Sequence, residues 1–246
     1  MRYIDINCDM GEGMDNDAAL MPYISSVNIA CGYHAGNEET MQQTVALASR
    51  YGVAIGAHVS FLDKENFGRK EMELPPDAVY ELVLQQLIIL QKIVKTQAVS
   101  IKHVKPHGAL YNMSARDKQL ADTIARVVHD FDPSLILVGL SNSHSINEAK
   151  TLGLQTASEV FADRRYEENG SLRSRSLPGA LLEDADEVAE QVLKMVSNKT
   201  VIAITGKEIP VTAETICIHG DGKHAVEFAQ TIYQNLKNHS IEIKPF

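Results

Sequence analysis

Histidines, carboxylates and cationic side chains recur in this sequence at, or just beyond, the ends of short apolar runs. The run from Tyr3 leads into Asn7, Asp9 and Glu12, and the run from Val27 into Asn28, Cys31 and His34. Val53 to Ala57 is followed by His58, and Ile101 to Lys105 by His107 and Asn112. Leu154 to Ser158 leads into Glu159, Asp163, Arg164 and Arg165, and Thr215 to Ile218 into His219 and Asp221. Imidazoles titrate near neutrality and suit proton transfer at a polar bond. Asp and His from separate strands also make a three-ligand divalent-metal site with a position left for water. Lys105 could neutralise a developing oxyanion, and Arg69 or Arg164 could grip a substrate carboxylate as a fork.

A lone loop histidine is usually a solvated or capping residue. Four of nine histidines each ending a strand resist that reading; the other five, at 103, 129, 144, 224 and 239, are assigned no role. Cys8, Cys31 and Cys217 lie in apolar runs and read as small buried hydrophobes rather than a disulfide framework.

The elements that must position these groups alternate between two periods. Helical patterns follow the strands: from Asn37, an N-cap with Glu38 and Glu39 in the first turn, to Gly52; from Pro76 through Val94; Asp117 to His129; Ser143 to Leu152; Asp184 to Val196; and Lys223 to Leu236. Val201–Ile204 and Ile209–Thr212 flank Gly206-Lys207 and read as a hairpin excursion near 200–213 within a single domain spanning 1–246. Seven strands remain, alternating with helices, which implies parallel pairing and right-handed crossovers. An open doubly wound sheet and a closed β/α barrel both satisfy that order. Ionisable residues end six of the seven strands, and only closure gathers so many ends into one ring. A seven-stranded β/α barrel is expected.

Composition narrows the function. With 23 Lys and Arg against 32 Asp and Glu, the formal net charge is −9, and no basic run exists to follow a phosphate backbone, so nucleic acid is excluded as a partner. No apolar run approaches a membrane span, and charge near the N-terminus speaks against a signal peptide, so a cytoplasmic protein is expected. There is no G-x-x-x-x-G-K-S/T, no Rossmann glycine pattern, no G-x-S-x-G elbow and no H-E-x-x-H. What survives is hydrolysis run by carboxylates and imidazoles, with or without a divalent ion.

Six strings in order are more specific: Asn7-Cys8-Asp9-Met10-Gly11-Glu12-Gly13; Asn28 through Gly36; Gly56-Ala57-His58; Lys105 through Asn112; Glu159 through Arg164; and Cys217-Ile218-His219-Gly220-Asp221. Together they resemble the LamB/YcsF family of 5-oxoprolinase A subunits. The resemblance implies a seven-stranded barrel like those of glycoside hydrolases and polysaccharide deacetylases. It further implies ATP-dependent opening of the lactam 5-oxoproline to glutamate, with ATP and Mg²⁺ as co-substrate and subunits B and C as partners. Asp9, Glu12, Lys105, His107, Asp163, His219 and Asp221 become the candidate catalytic residues. Asn7, Asn28, His34, Arg69, Asn112, Glu159 and Arg164 become the candidate substrate-binding ones. Deacetylase-like barrels of the YdjC type hold a metal through an acid after the first strand and two later histidines, which by position are Asp9, His58 and His107. A metal-free site with Asp9 as base is the alternative, as is a stand-alone metal-dependent deacetylase or amidohydrolase acting on a small sugar or amide. The chain departs from the family pattern at Val59, Leu62, Asn66, Lys70, Gly222 and Lys223, none of them an ionisable motif position of the six strings.

Overall fold

A computed structural model describes residues 2–220, 222 and 224–246. Its strands are β1 (Arg2–Met10), β2 (Ser26–Ala30), β3 (Ala54–Val59), β4 (Ile101–Pro106), β5 (Ile136–Leu140), β6 (Gln155–Phe161), β7 (Thr200–Ile202), β8 (Glu208–Pro210), β9 (Thr215–Ile218) and β10 (Ile241–Ile243). Between them run α1 (Asp17–Leu20), α2 (Glu38–Tyr51), α3 (Pro76–Thr96), α4 (Gly108–Arg116), α5 (Lys118–Phe131), α6 (His144–Thr151), α7 (Ala185–Asn198) and α8 (Ala225–Asn238). Strands β1 to β6 pair in sequence order, and β9 pairs with both β6 and β1, closing a parallel barrel of seven strands. β10 adds to the start of β1, where Arg2 faces Ile241. β7 and β8 form the expected antiparallel hairpin outside the barrel, tied to the loop after β6 by a bridge between Tyr166 and Ala203.

The helices start where the sequence supplies the missing backbone partners. Asn37 makes a reciprocal capping box with Thr40, and Gly52 takes the left-handed conformation that ends α2. Asp117 and Asp184 cap α5 and α7 through their carboxylates. α3 buries Val79, Val83, Leu87, Leu90 and Val94 at three- and four-residue spacing. Each such side chain contributes about 1.5–3 kcal/mol by leaving water.

Three elements differ from the sequence expectation. Residues 108–116 form α4, placing Asn112 on a helix rather than in a loop; a glycine at φ +54 opens that helix and masks its short period. β10 and α1 are three and four residues long, too short for a period to show. The barrel strands also run on past several expected ends, so His58 and Glu159 sit inside strands.

The barrel interior is polar. Asn7 on β1 donates to Glu159 on β6 at 2.9 Å, and Lys105 on β4 reaches Asp9 on β1 and Cys217 on β9. Bonds between strands that are not neighbours must cross the interior. Gly56 supplies the space they need: a Cβ there would lie 2.0 Å from the ring of His103.

Candidate active site

The lowest layer is Asp5, whose carboxylate accepts from the hydroxyls of Ser25, Ser26 and Thr215. Burial pushes its carboxyl up to about 6, against the pull of those three hydroxyls. Above it, the Asn7 amide donates to Glu159 and Thr215, while its oxygen accepts from Asn28 and Lys105. Lys105 is 2% exposed and lies 2.9 Å from Asp9 and 2.8 Å from Glu159. Burial alone would drive its ammonium toward neutrality, but Asp9, Cys217 and Glu159 hold its pKa well above the ordinary value. Asp9 is likewise buried, yet His58 and Lys105 keep its carboxyl well below the usual range. The centre of the barrel is therefore a charged Asp9–Lys105 pair, with Glu159 against the same ammonium. His103 completes it, with Nε2 2.7 Å from the Asn28 oxygen and its pKa lowered by burial to about 3, so it is a neutral structural ring.

At the mouth, above β1 to β4, stand Glu12, His34, His58 and His107. One ligand-capable atom from each lies within 4.8 Å of the others. The backbone dictates which ring nitrogens carry protons. His58 Nδ1 faces the Lys105 carbonyl at 2.9 Å and His107 Nε2 faces the Phe67 carbonyl at 2.9 Å, and a carbonyl can only accept. In the neutral rings, His58 Nε2 and His107 Nδ1 then turn lone pairs toward each other across 2.9 Å. Such a pair needs a cation between or beside it, either a proton or a metal ion. His34 stacks on His107 with centroids 3.9 Å apart, and its Nε2 sits 2.9 Å from Glu12. Burial lowers the His34 pKa to about 2 and takes that of His107 well below its ordinary value. Three imidazoles and a carboxylate are the donor set of a borderline-soft divalent ion, so these residues fit one. Asp9 borders the group, with Oδ2 3.3 Å from His58, while its Oδ1 is held by Lys105 and Asn28.

Gly68 makes this crowding possible. It adopts φ +63, and a Cβ there would approach Ser60 Oγ to 2.3 Å and His34 Cβ to 2.8 Å. Gln86, wholly buried in α3, pins the same loop by bonding both the amide and the carbonyl of Ser60.

The opposite wall rises from β6 and β9. His219 Nδ1 lies 2.8 Å from Asp163, and the ring stacks on Phe161. Asp163 is buried, but His219 holds its carboxyl below the usual range. Such a pair orients the imidazole with Nε2 outward, as a general acid or base requires. Arg164 is buried beside it, and its Nη2 donates to the Arg173 carbonyl. The Gln191 amide clamps the carbonyls of Phe161, Ala162 and Arg164, which fixes this turn.

A cavity of about 710 Å³ opens between the two walls. Asp9, Glu12, His58, Arg69, Lys105, His107, Asn112, Arg164 and His219 line it. Asn7, Asn28 and Glu159 lie below as the fully buried support of Lys105 and Asp9, and His34 and Asp163 stand behind the lining. Asn112 bonds back to the Gly108 carbonyl in its own helix. Asp221 lies outside the described residues. Sequence reasoning missed His103, Tyr111 and the segment 169–176, which also lines the cavity except at Arg173. The in–out alternation of β4 places His103 on the same face as Lys105 and was the available signal for it.

The profile of the LamB/YcsF family matches residues 4–246, essentially the whole described chain. The chain belongs to the LamB/YcsF family. It is 52% identical to the 5-oxoprolinase A subunit of Staphylococcus carnosus (strain TM300), over 98% of this chain and 97% of that one. It is 51% identical to the protein of the same name from Staphylococcus haemolyticus (strain JCSC1435), covering 98% of both. Among solved structures it is similar to a lactam utilization protein from Thermus thermophilus, at 39% identity and a TM-score of 0.93, covering 99% of this chain and all of the other. A family 4 carbohydrate esterase from Streptomyces lividans superposes at a TM-score of 0.54 with 10% identity, covering 98% and 91% of the two chains, which establishes a shared barrel and nothing of the chemistry.

Proposed function

We propose that this chain is the A component of a 5-oxoprolinase, a cytoplasmic enzyme that opens the lactam of 5-oxoproline to glutamate at the expense of ATP, together with subunits B and C. The observation that carries this reading is the near-complete match to curated 5-oxoprolinase A subunits. It is joined to a cavity where an Asp163–His219 pair and the Lys105 ammonium face one space. A lactam is a stabilised amide, so its carbonyl must be activated, attacked by water and relieved of its leaving nitrogen. Lys105, charged and desolvated, stabilises negative charge developing on the carbonyl oxygen. His219, oriented by Asp163, moves the proton between attacking water and departing nitrogen. Asp9 and Glu159 keep Lys105 cationic and stationary.

Glu12, His34, His58 and His107 would hold a divalent transition ion, with Asp9 at the edge of the group. Such an ion lowers the pKa of bound water and polarises a carbonyl oxygen. The chain's own part is to fix the two ring tautomers through the Lys105 and Phe67 carbonyls and, by burial, to disfavour a proton on His107. Leu177, Leu181, Ile202 and Ile204 are exposed, apolar surface of the kind a partner subunit covers.

Glutamate release from 5-oxoproline tests the reading, using this chain with and without ATP, Mg²⁺ and subunits B and C. Release that requires ATP and both partners supports it. Deacetylation of an acetamido sugar by the metal-loaded chain alone, with no glutamate under any combination, would replace it with the metal-dependent deacetylase that the histidine cluster also suits.

A further inference from the structure

Asp9, Asn28, Gly56 and His103 occupy one row across the first four strands. Asp9 is in register with Asn28, Asn28 with Gly56, and Gly56 with His103. Gly56 has no side chain, and the His103 ring crosses the gap it leaves to reach Asn28. A Cβ at Gly56 would lie 2.0 Å from His103 Nε2, and that nitrogen lies 2.7 Å from Asn28 Oδ1. The ring is wholly buried, and the Phe246 ring packs edge-on against it with centroids 5.2 Å apart. His103 is not part of the cavity lining, so anything it contributes to a reaction passes through other residues.

The hydrogen bonds along this row run in one direction. The Asn28 amide donates to Asn7 Oδ1 at 2.7 Å and to Asp9 Oδ1 at 2.8 Å, which uses both of its N–H groups. Lys105 Nζ holds the same two oxygens, at 3.2 and 2.9 Å. Turning the amide over would set its oxygen against the Asp9 carboxylate, and neither group could donate. The Asn28 oxygen therefore faces His103 and takes a proton from it. His103 Nδ1 is buried with no partner, so the neutral ring carries its proton on Nε2, where it is used. Burial first, and then the Lys105 charge, lowers the pKa of this ring to about 3, which keeps a second proton off. Without that donor the Asn28 oxygen would be buried and unsatisfied, and the amide would be free to turn.

We infer that His103 is a positioning residue for the lactam hydrolysis, acting across Gly56 and through Asn28 to fix the two oxygens that hold the Lys105 ammonium. The same bonds commit Asp9 Oδ1 to Asn28 and Lys105 and leave Oδ2 toward His58, at 3.3 Å. The assignment rests on the reading of Lys105 as the group that stabilises the carbonyl oxygen, and deepens it by naming what keeps that ammonium in place.

The test compares His103→Leu with His103→Gln. Leu fills the space with no donor, whereas Gln carries an N–H close to the place of the histidine Nε2. In the complex with subunits B and C, kcat and KM are read from glutamate release. In the chain alone, the proton–nitrogen correlation signal of the Lys105 ammonium is read by NMR. His103→Leu should lower kcat by about 10- to 100-fold with KM within about twofold of wild type, and should shift or broaden the Lys105 signal. His103→Gln should restore kcat to within about threefold and keep the signal in place. Unchanged kcat in His103→Leu, or His103→Gln as slow as His103→Leu, would overturn the assignment, because a ring that only fills space is not rescued by a donor. Should His103→Leu not fold, the ring nitrogen shifts of the wild-type chain decide: a proton on Nε2 is expected, and one on Nδ1 overturns the relay. A wild-type complex that releases no glutamate would remove the 5-oxoprolinase reading, while the Lys105 signal in the two variants still decides whether His103 positions the ammonium.

Discussion

The β1–β4 side of the cavity and the β6–β9 side are built from the same residue types and are tied together in different ways. On the first side, Lys105 meets Asp9 and Glu159 across the barrel interior, and Glu12 meets His34. On the second, Asp163 pairs with His219, and the buried Arg164 guanidinium bonds the Arg173 carbonyl within its own loop. A network that crosses the interior is rigid and holds its groups in place. The contrast separates a wall cross-linked through the barrel from one tied mainly at its own rim.

Breaking the cross-linked wall should have the largest effect. Lys105→Met strands two carboxylates in the interior and should cost about 3–5 kcal/mol of stability, read by urea unfolding. A loss below about 1 kcal/mol would mean that water reaches Asp9 and Glu159, and the wall is not closed. On the β6–β9 wall, Asp163→Asn removes the orienting partner of His219 and should lower kcat of the complex by roughly 10²–10⁴ while leaving the unfolding midpoint near the native value. A fall in stability with unchanged kcat would recast that pair as structural.

The floor of the cross-linked wall has its own pH signature. Asp5 titrates near 6 in the fold against 3.8 for the ordinary carboxyl, so the folded state holds the proton more tightly than the unfolded one. Between about pH 4 and pH 6 the folded protein binds more protons, and stability must fall as pH rises through that window. The Asp5-dependent part is on the order of 3 kcal/mol, obtained by comparing the pH dependence of unfolding in wild type and Asp5→Asn. A difference that is flat with pH would show that the three hydroxyls outweigh burial.

A smaller effect should come from Gly68→Ala, which places a Cβ against Ser60 and His34 at positive φ. It should cost about 1–3 kcal/mol and weaken divalent-ion retention, measured by elemental analysis after dialysis. Outside both walls, Asp122→Ala breaks only an exposed pair with Arg126 one helical turn away and should change stability by no more than about 0.5 kcal/mol.

Much of this was legible in the chain. The alternation of apolar periods specified seven parallel strands, because crossover helices and buried strands each leave their own spacing. The polar residues at strand ends specified which face of the barrel holds the cavity, since every parallel strand delivers its C-terminal end to the same side. His103 was passed over although its two-residue spacing from Lys105 in β4 puts both on one face, and α4 because its opening glycine breaks the pattern.

Tertiary structure alone decided who meets whom. Lys105 pairs with residues 96 positions upstream and 54 downstream, and such encounters depend on closure and stagger of the barrel rather than on local sequence. The same closure brought Glu12 and His34 to His58 and His107, beyond the Asp9-centred set that position in the chain suggests. Local sequence sets each side chain's chemistry and the period of its element, whereas charge matching depends on distances across the interior, which exist only once the last strand has paired with the first.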